Sequence, residues 1–142
     1  MSLADFSQSN IPIMNHLMAV KKTYLQRQPD VVENVLRALV EGLAFTWSPK
    51  MKGSVLKSVM RRLRITDIAL AEEGYQELLT RGGLEKRPHP SMEGVRNVQR
   101  LMQSTNPRIG EVKLEEVVDR SITRKLEDSG FIDRMYNLYP SK

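Results

Sequence analysis

Only one stretch of this chain, Ile11 to Val20, reads as a β-strand, and it carries Pro12 near its start. A proline is tolerated at a strand's start or on an edge strand, but not in the middle of a sheet. A lone strand also leaves its backbone N–H and C=O groups without a ladder partner. The expected architecture is therefore mainly α. Six or seven short helices joined by tight turns follow one strand or hairpin, which pairs with another chain or with a sheet outside this sequence. Residues 1–10 read as a loose leader, with Met1-Ser2-Leu3 as an expression remnant, and residues 11–142 as a single helical domain.

Everything after that stretch is patterned for helices. Pro29 suits a first helical position and Asp30 the positive end of the dipole. From there to Trp47, Val31, Val32, Val35, Leu36, Leu39, Val40 and Leu43 recur at helical spacing, while Glu33 and Arg37 form an i,i+4 pair. Gly42 within that run costs about 1 kcal/mol against alanine, which a close helix contact would justify. Ser48-Pro49 ends this helix and opens the next, with Ser48 as cap and Met51, Val55, Leu56, Val59, Met60 and Leu63 as its stripe. Thr66 is placed to cap a third helix, over Asp67 to Thr80, with Ile68, Ala71, Tyr75, Leu78 and Leu79 as its stripe and Gly82-Gly83 as its stop.

Glu85 to Pro90 reads as an extended loop, because each residue before a proline is biased away from helix. Ser91 then caps a fourth helix with Val95, Val98, Leu101 and Met102 inward, ended by Asn106-Pro107. A fifth helical stretch carries Leu114, Val117, Val118, Ile122 and Leu126 and closes at Gly130. Phe131, Ile132, Tyr136, Leu138 and Tyr139 form an apolar tail that must dock or stay exposed.

Composition narrows the function classes. Forty per cent of the 142 residues are apolar, enough for one core, and 27% are charged. Cysteine is absent, which excludes disulfides, thiolate metal sites and cysteine nucleophiles. The sequence as written shows no apolar run long enough to span a bilayer and no basic-apolar-small pattern at its start, so neither a transmembrane helix nor a secretory signal is expected in it. The net charge of +5 is local. Lys50, Lys52, Lys57, Arg61, Arg62 and Arg64 fall between Pro49 and Thr66 with no acid among them, and the rest of the chain is close to neutral.

Catalytic patterns are missing. His16 and His89 stand far apart with no second ligand at helical spacing, so no metal or other cofactor is expected. Glu72-Glu73 and Glu115-Glu116 are adjacent pairs that diverge by about 100° on a helix, which suits solvation better than paired acid–base work. Gly82-Gly83 lacks the Lys-Ser/Thr of a phosphate loop. A nucleophile elbow is also missing. The protein is expected not to be an enzyme. The basic stretch 50–64 followed by a turn and a helix invites a helix-turn-helix reading. Here the basic helix comes first, and the second helix, with Glu72, Glu73 and Glu77, would turn negative charge towards DNA. A DNA-binding or protein-interaction module using Lys57, Arg61, Arg62 and Arg64 is thus the alternative function, with nucleic acid disfavoured. Trp47 and the methionines fall on core stripes, which disfavours membrane binding.

Four stretches, in order, give the chain a family likeness. Gln28-Pro29-Asp30-Val31-Val32 leads into Leu36-Arg37-Ala38-Leu39-Val40-Glu41-Gly42. Pro90-Ser91-Met92-Glu93-Gly94-Val95 follows, then Asp119-Arg120, and finally Leu126-Glu127-Asp128-Ser129-Gly130-Phe131-Ile132. Together they resemble the C-terminal portion of nitrate/sulfonate/taurine-type ABC-transporter substrate-binding proteins, from about Ile11 to Asp133.

The resemblance implies the last part of a two-lobed α/β periplasmic-binding-protein fold. The stretch Ile11–Val20 would be the strand returning from the second lobe, and the helices after it would complete the first. It also implies a periplasmic location, a small anionic solute such as a sulfonate or nitrate, and an ABC permease as partner. The ligand in that family sits between the lobes, so Asn15 and His16, at the end of the returning strand, are the ligand-side candidates here. Most of the cleft would come from earlier chain, so this portion alone is expected to bind ligand weakly. Helices meant to cover a sheet, and a strand with open edges, favour a homodimer.

Overall fold

The computed structural model describes residues 12–14, 16–80 and 84–141. Among them lie eight α-helices: α1 (Lys22–Arg27), α2 (Pro29–Trp47), α3 (Lys52–Leu63), α4 (Ile68–Thr80), α5 (Met92–Gln103), α6 (Leu114–Val117), α7 (Ser121–Asp128) and α8 (Phe131–Leu138). Short 3-10 turns at Pro49–Met51 and Pro107–Glu111 complete the regular structure. The mainly helical expectation holds.

The expected strand does not form among the described residues. Residues 12–14 and 16–20 have no regular structure, because no other strand is present among the described residues to receive their hydrogen bonds. The segment lies instead along α5. Asn97 Nδ2 donates to the Pro12 carbonyl at 2.9 Å. At Gly94 the backbone comes so close that an added Cβ would stand 3.0 Å from the Met14 nitrogen. The leader at residues 1–10 and the Gly82-Gly83 stop lie outside the described residues.

Two small cores organise the chain around α2. One buries Val40, Leu126 and Ile132, with Leu36, Ile122, Phe131, Met135 and Tyr136 packed around them. It joins α2 to α7 and α8, so the apolar tail docks as a helix. The other buries Val55, Leu56, Ala71 and Tyr75 against Phe45, Val59, Met60, Ile65 and Leu79. It sets the α3–α4 pair on the C-terminal end of α2, where Tyr75 Oη donates to the Thr46 carbonyl at 2.8 Å.

Helix ends follow local chemistry in most places. Pro29 opens α2 and Asp30 sits in its first turn. Ser91 Oγ accepts from the Gly94 N–H at 3.1 Å and caps α5. Two caps differ from expectation. Asp67, not Thr66, caps α4, its Oδ1 accepting from the N–H groups of Ala69 and Leu70. Ser48 makes no cap bond; it is fully buried, and its hydroxyl donates to the Pro140 carbonyl at 3.1 Å. The expected fifth helical stretch is split into α6 and α7. Asp119 causes the break by accepting from the Ser121 N–H at 2.7 Å. The hydrogen bonds from Ser121 hold the Asp119 carboxyl below its ordinary pKa. Helix α1 carries no apolar periodicity and buries no residue, which is why the sequence pattern passes over it.

The ends of α3 and α7 contrast. After α7, Gly130 takes the left-handed conformation at φ 67, where glycine carries no steric cost. After α3 the same conformation falls to Arg64, at φ 56. The Ile65 N–H bonds back to the Met60 carbonyl at 3.0 Å, and Ile65 packs with Met60 against the α3–α4 core. That closure holds Arg64 in a shape costing an L-residue about 1 kcal/mol or more.

Candidate functional site

Helix α2 carries apolar residues on two nearly opposite sides. Val32, Val40 and Ala44 are buried. On the other side Val31, Val35, Ala38, Leu39 and Gly42 fall within about 100° of arc, and all five are exposed. No charged side chain interrupts that second stripe. Nothing stands within 4 Å of a Cβ built at Gly42, so the helix contact that would justify this glycine is not made within the described residues. A helix apolar on both sides belongs between two layers, and among the described residues only one side of α2 is covered. Leu101 and Met102 are likewise exposed, so the inward placement expected of them fails, and Val117 is exposed as well.

Of the segment that carries the ligand-side candidates, Pro12 and Met14 lie against α5. His16 is exposed on the irregular segment, while Asn15 lies outside the described residues. The Met14 approach to Gly94 fixes where this segment runs. A shallow cleft of about 420 Å³ opens elsewhere, lined by Lys22, Glu115, Glu116, Val118, Asp119 and Arg120. Three acids against two bases make it a poor receptor for an anion. Among the described residues no group of three or more metal-binding side chains is placed to hold an ion.

A strap at residues 85–90, read from the sequence only as an extended loop, ties the C-terminal half together. Arg87 spans two acids of the α7–α8 corner, Glu127 and Asp133, the latter at 2.6 Å. His89 lies against the Glu127 carboxylate. Arg120 donates to the Pro90 carbonyl at 2.7 Å. Tyr136 Oη donates to the Lys86 carbonyl at 2.5 Å, and burial pushes its phenol up to about 12. The Lys86 ammonium stands 4.7 Å from the centre of the Trp47 ring. Every one of these groups is engaged in holding the strap to the helices, a structural task.

The basic stretch is divided by the fold. Lys52 pairs with Glu72 at 2.9 Å. Lys57, Arg61, Arg62 and Arg64 are exposed towards and beyond the end of α3. The motifs that carry the family likeness do structural work as well. Pro29 starts α2, Ser91 caps α5, Gly94 admits the Met14 backbone, Asp119 starts α7, Arg120 holds Pro90, and Gly130 turns the chain into α8. No known protein family, curated protein or solved structure matches this chain.

Proposed function

We propose that this chain is the helical C-terminal portion of the solute-binding component of an ABC importer, non-catalytic and acting in the periplasm on a small anion such as a sulfonate or nitrate. The uncovered apolar stripe of α2 carries the reading. A helix buried on one side and bare on the other fits a layer that covers a sheet in a two-lobed α/β protein. The close passage of the Met14 backbone over Gly94 supports it, since that segment would enter as the strand returning from the other lobe. Asn15 and His16 then face the inter-lobe cleft, and closure of the lobes around the solute would present the protein to its permease.

On this reading the chain alone binds taurine or nitrate no tighter than the millimolar range and self-associates through the bare stripe. Titration calorimetry and sedimentation check both. The reading frame upstream of Ala4 gives the deciding test. A frame coding for about 150–200 further residues of alternating strands and helices, whose product binds one of these anions at micromolar concentration, bears the proposal out. A stop codon directly upstream, or micromolar binding by the present chain, overturns it.

A further inference from the structure

The corner where α3 meets α4 combines two features that the solute-binding reading does not use. Four consecutive residues at the end of α3, Arg61, Arg62, Leu63 and Arg64, are all exposed. Leu63 continues the core stripe of α3 but overruns the core and stands 67% exposed, and Ile68, just across the turn, is 61% exposed. The only acid between Lys50 and Ala71 is Asp67, and its carboxylate is turned onto the start of α4. The corner is therefore a cationic knob with two bare aliphatic side chains in it.

The placement of the charges selects among anionic partners. Successive helical residues diverge by about 100°, so Arg61, Arg62 and Leu63 ring the end of the helix rather than line one side. A nucleic-acid groove is followed by cations along one face. A flat surface met end-on can engage the whole ring. Nucleic acid takes leucine and isoleucine chiefly as wedges that must unstack base steps, whereas the boundary between lipid headgroups and acyl chains takes aliphatic tips directly and draws basic residues to its phosphates. Arg64 adds weight, because it keeps a guanidinium at a backbone position where glycine would be more stable.

We propose that the α3–α4 corner docks on an anionic lipid surface, with Arg61, Arg62 and Arg64 on the headgroup phosphates and Leu63 and Ile68 seated below them. Lys57, one turn back from Arg61, flanks the contact. This inference stands on the corner alone and does not depend on the solute-binding reading.

Flotation with phosphatidylcholine vesicles, with and without about one third phosphatidylglycerol, tests it on the full chain. Binding is expected to the anionic vesicles only and to weaken with salt. R61E/R62E is expected to lose roughly tenfold or more in affinity. L63S/I68S is expected to lose severalfold at ~0.15 M salt, where long-range attraction is screened, with any affinity for duplex DNA unchanged. Circular dichroism and melting of each variant establish that it is folded, and R61Q/R62Q replaces any that is not. Equal binding to both vesicles, no binding to either, or full retention by R61E/R62E overturns the proposal. So does an L63S/I68S variant that binds anionic vesicles like the parent, and so does duplex DNA that displaces the vesicles completely; these last two results would assign the corner to polyanions in general.

Discussion

The two cores that flank α2 are held in different ways. The α2–α7–α8 core is closed by residues distant in sequence. Lys125 reaches Glu33, 92 positions away, at 2.6 Å; Arg37 lies over the Phe131 ring at 4.6 Å; and Tyr139 Oη reaches Glu41 at 3.2 Å. Its central residues, Val40, Leu126 and Ile132, are at most 1% exposed. The α3–α4 core is built from neighbours in the chain, is slightly less enclosed, and rests on α2 through Phe45 and the Tyr75 hydroxyl. The first core fixes the fold's long-range topology. The second is a helical hairpin leaning on it, with a tip that projects free. A surface meant to meet something else is better carried on the second.

Changes to the long-range core should have the largest effect. Leu126→Ala removes a side chain that is 1% exposed and is expected to cost about 3 kcal/mol, read as one cooperative loss of helix by chemical denaturation. Leu56→Ala in the hairpin core should cost about 2 kcal/mol. Hydrogen exchange should show this loss confined to α3 and α4; matching exchange in α7 and α8 would merge the two cores into one unit. Tyr75→Phe removes the bond to the Thr46 carbonyl and should cost about 1 kcal/mol, again local to the hairpin.

Acid sharpens the contrast further. Hydrogen bonds from Lys125 and then Arg37 hold the Glu33 carboxyl below its ordinary value of 4.5. A depressed carboxyl contributes stability above its unfolded pKa and loses it as pH falls through the folded one. Melting between about pH 6 and about pH 3 should therefore fall less steeply in Glu33→Gln than in the parent. The smallest effect should be a gain: Arg64→Gly relieves the left-handed arginine, offset in part by glycine's freedom in the unfolded chain, and should add roughly 0.5 kcal/mol, while removing one cation from the exposed corner.

Much of the helical order was legible because it rests on adjacent residues. Pro29, Ser91 and Gly130 act within a turn of where they stand, and their chemistry is the same in any fold. Periodicity told which residues of α2 share a side but not which side meets a partner, so Val35 and Leu36 looked alike. Ser48 looked like a cap because it precedes a proline, yet its hydroxyl serves a carbonyl 92 positions away. The strap was invisible for the same reason: Arg87 and its acids at Glu127 and Asp133 share no local pattern. The strand expectation failed because a strand reading describes one segment and says nothing of a neighbour for it to pair with. Of the candidate site, the basic run was read directly from the sequence. Its division into a paired Lys52 and a bare knob at residues 61–64 came only from the fold, which sets Glu72 of α4 beside Lys52.

The span between Glu33 and Lys125 has a consequence during synthesis. A ribosome adding about 5–20 residues per second leaves α2 waiting roughly 5–20 s for α7 to be made. During that interval both apolar sides of α2 are open, including the one the finished core will later cover. The hairpin of α3 and α4 follows directly and can form early on the emerging chain, shielding one end of α2 through Phe45. A nascent chain stalled before residue 121 would thus present a two-sided apolar helix, a natural target for holding chaperones.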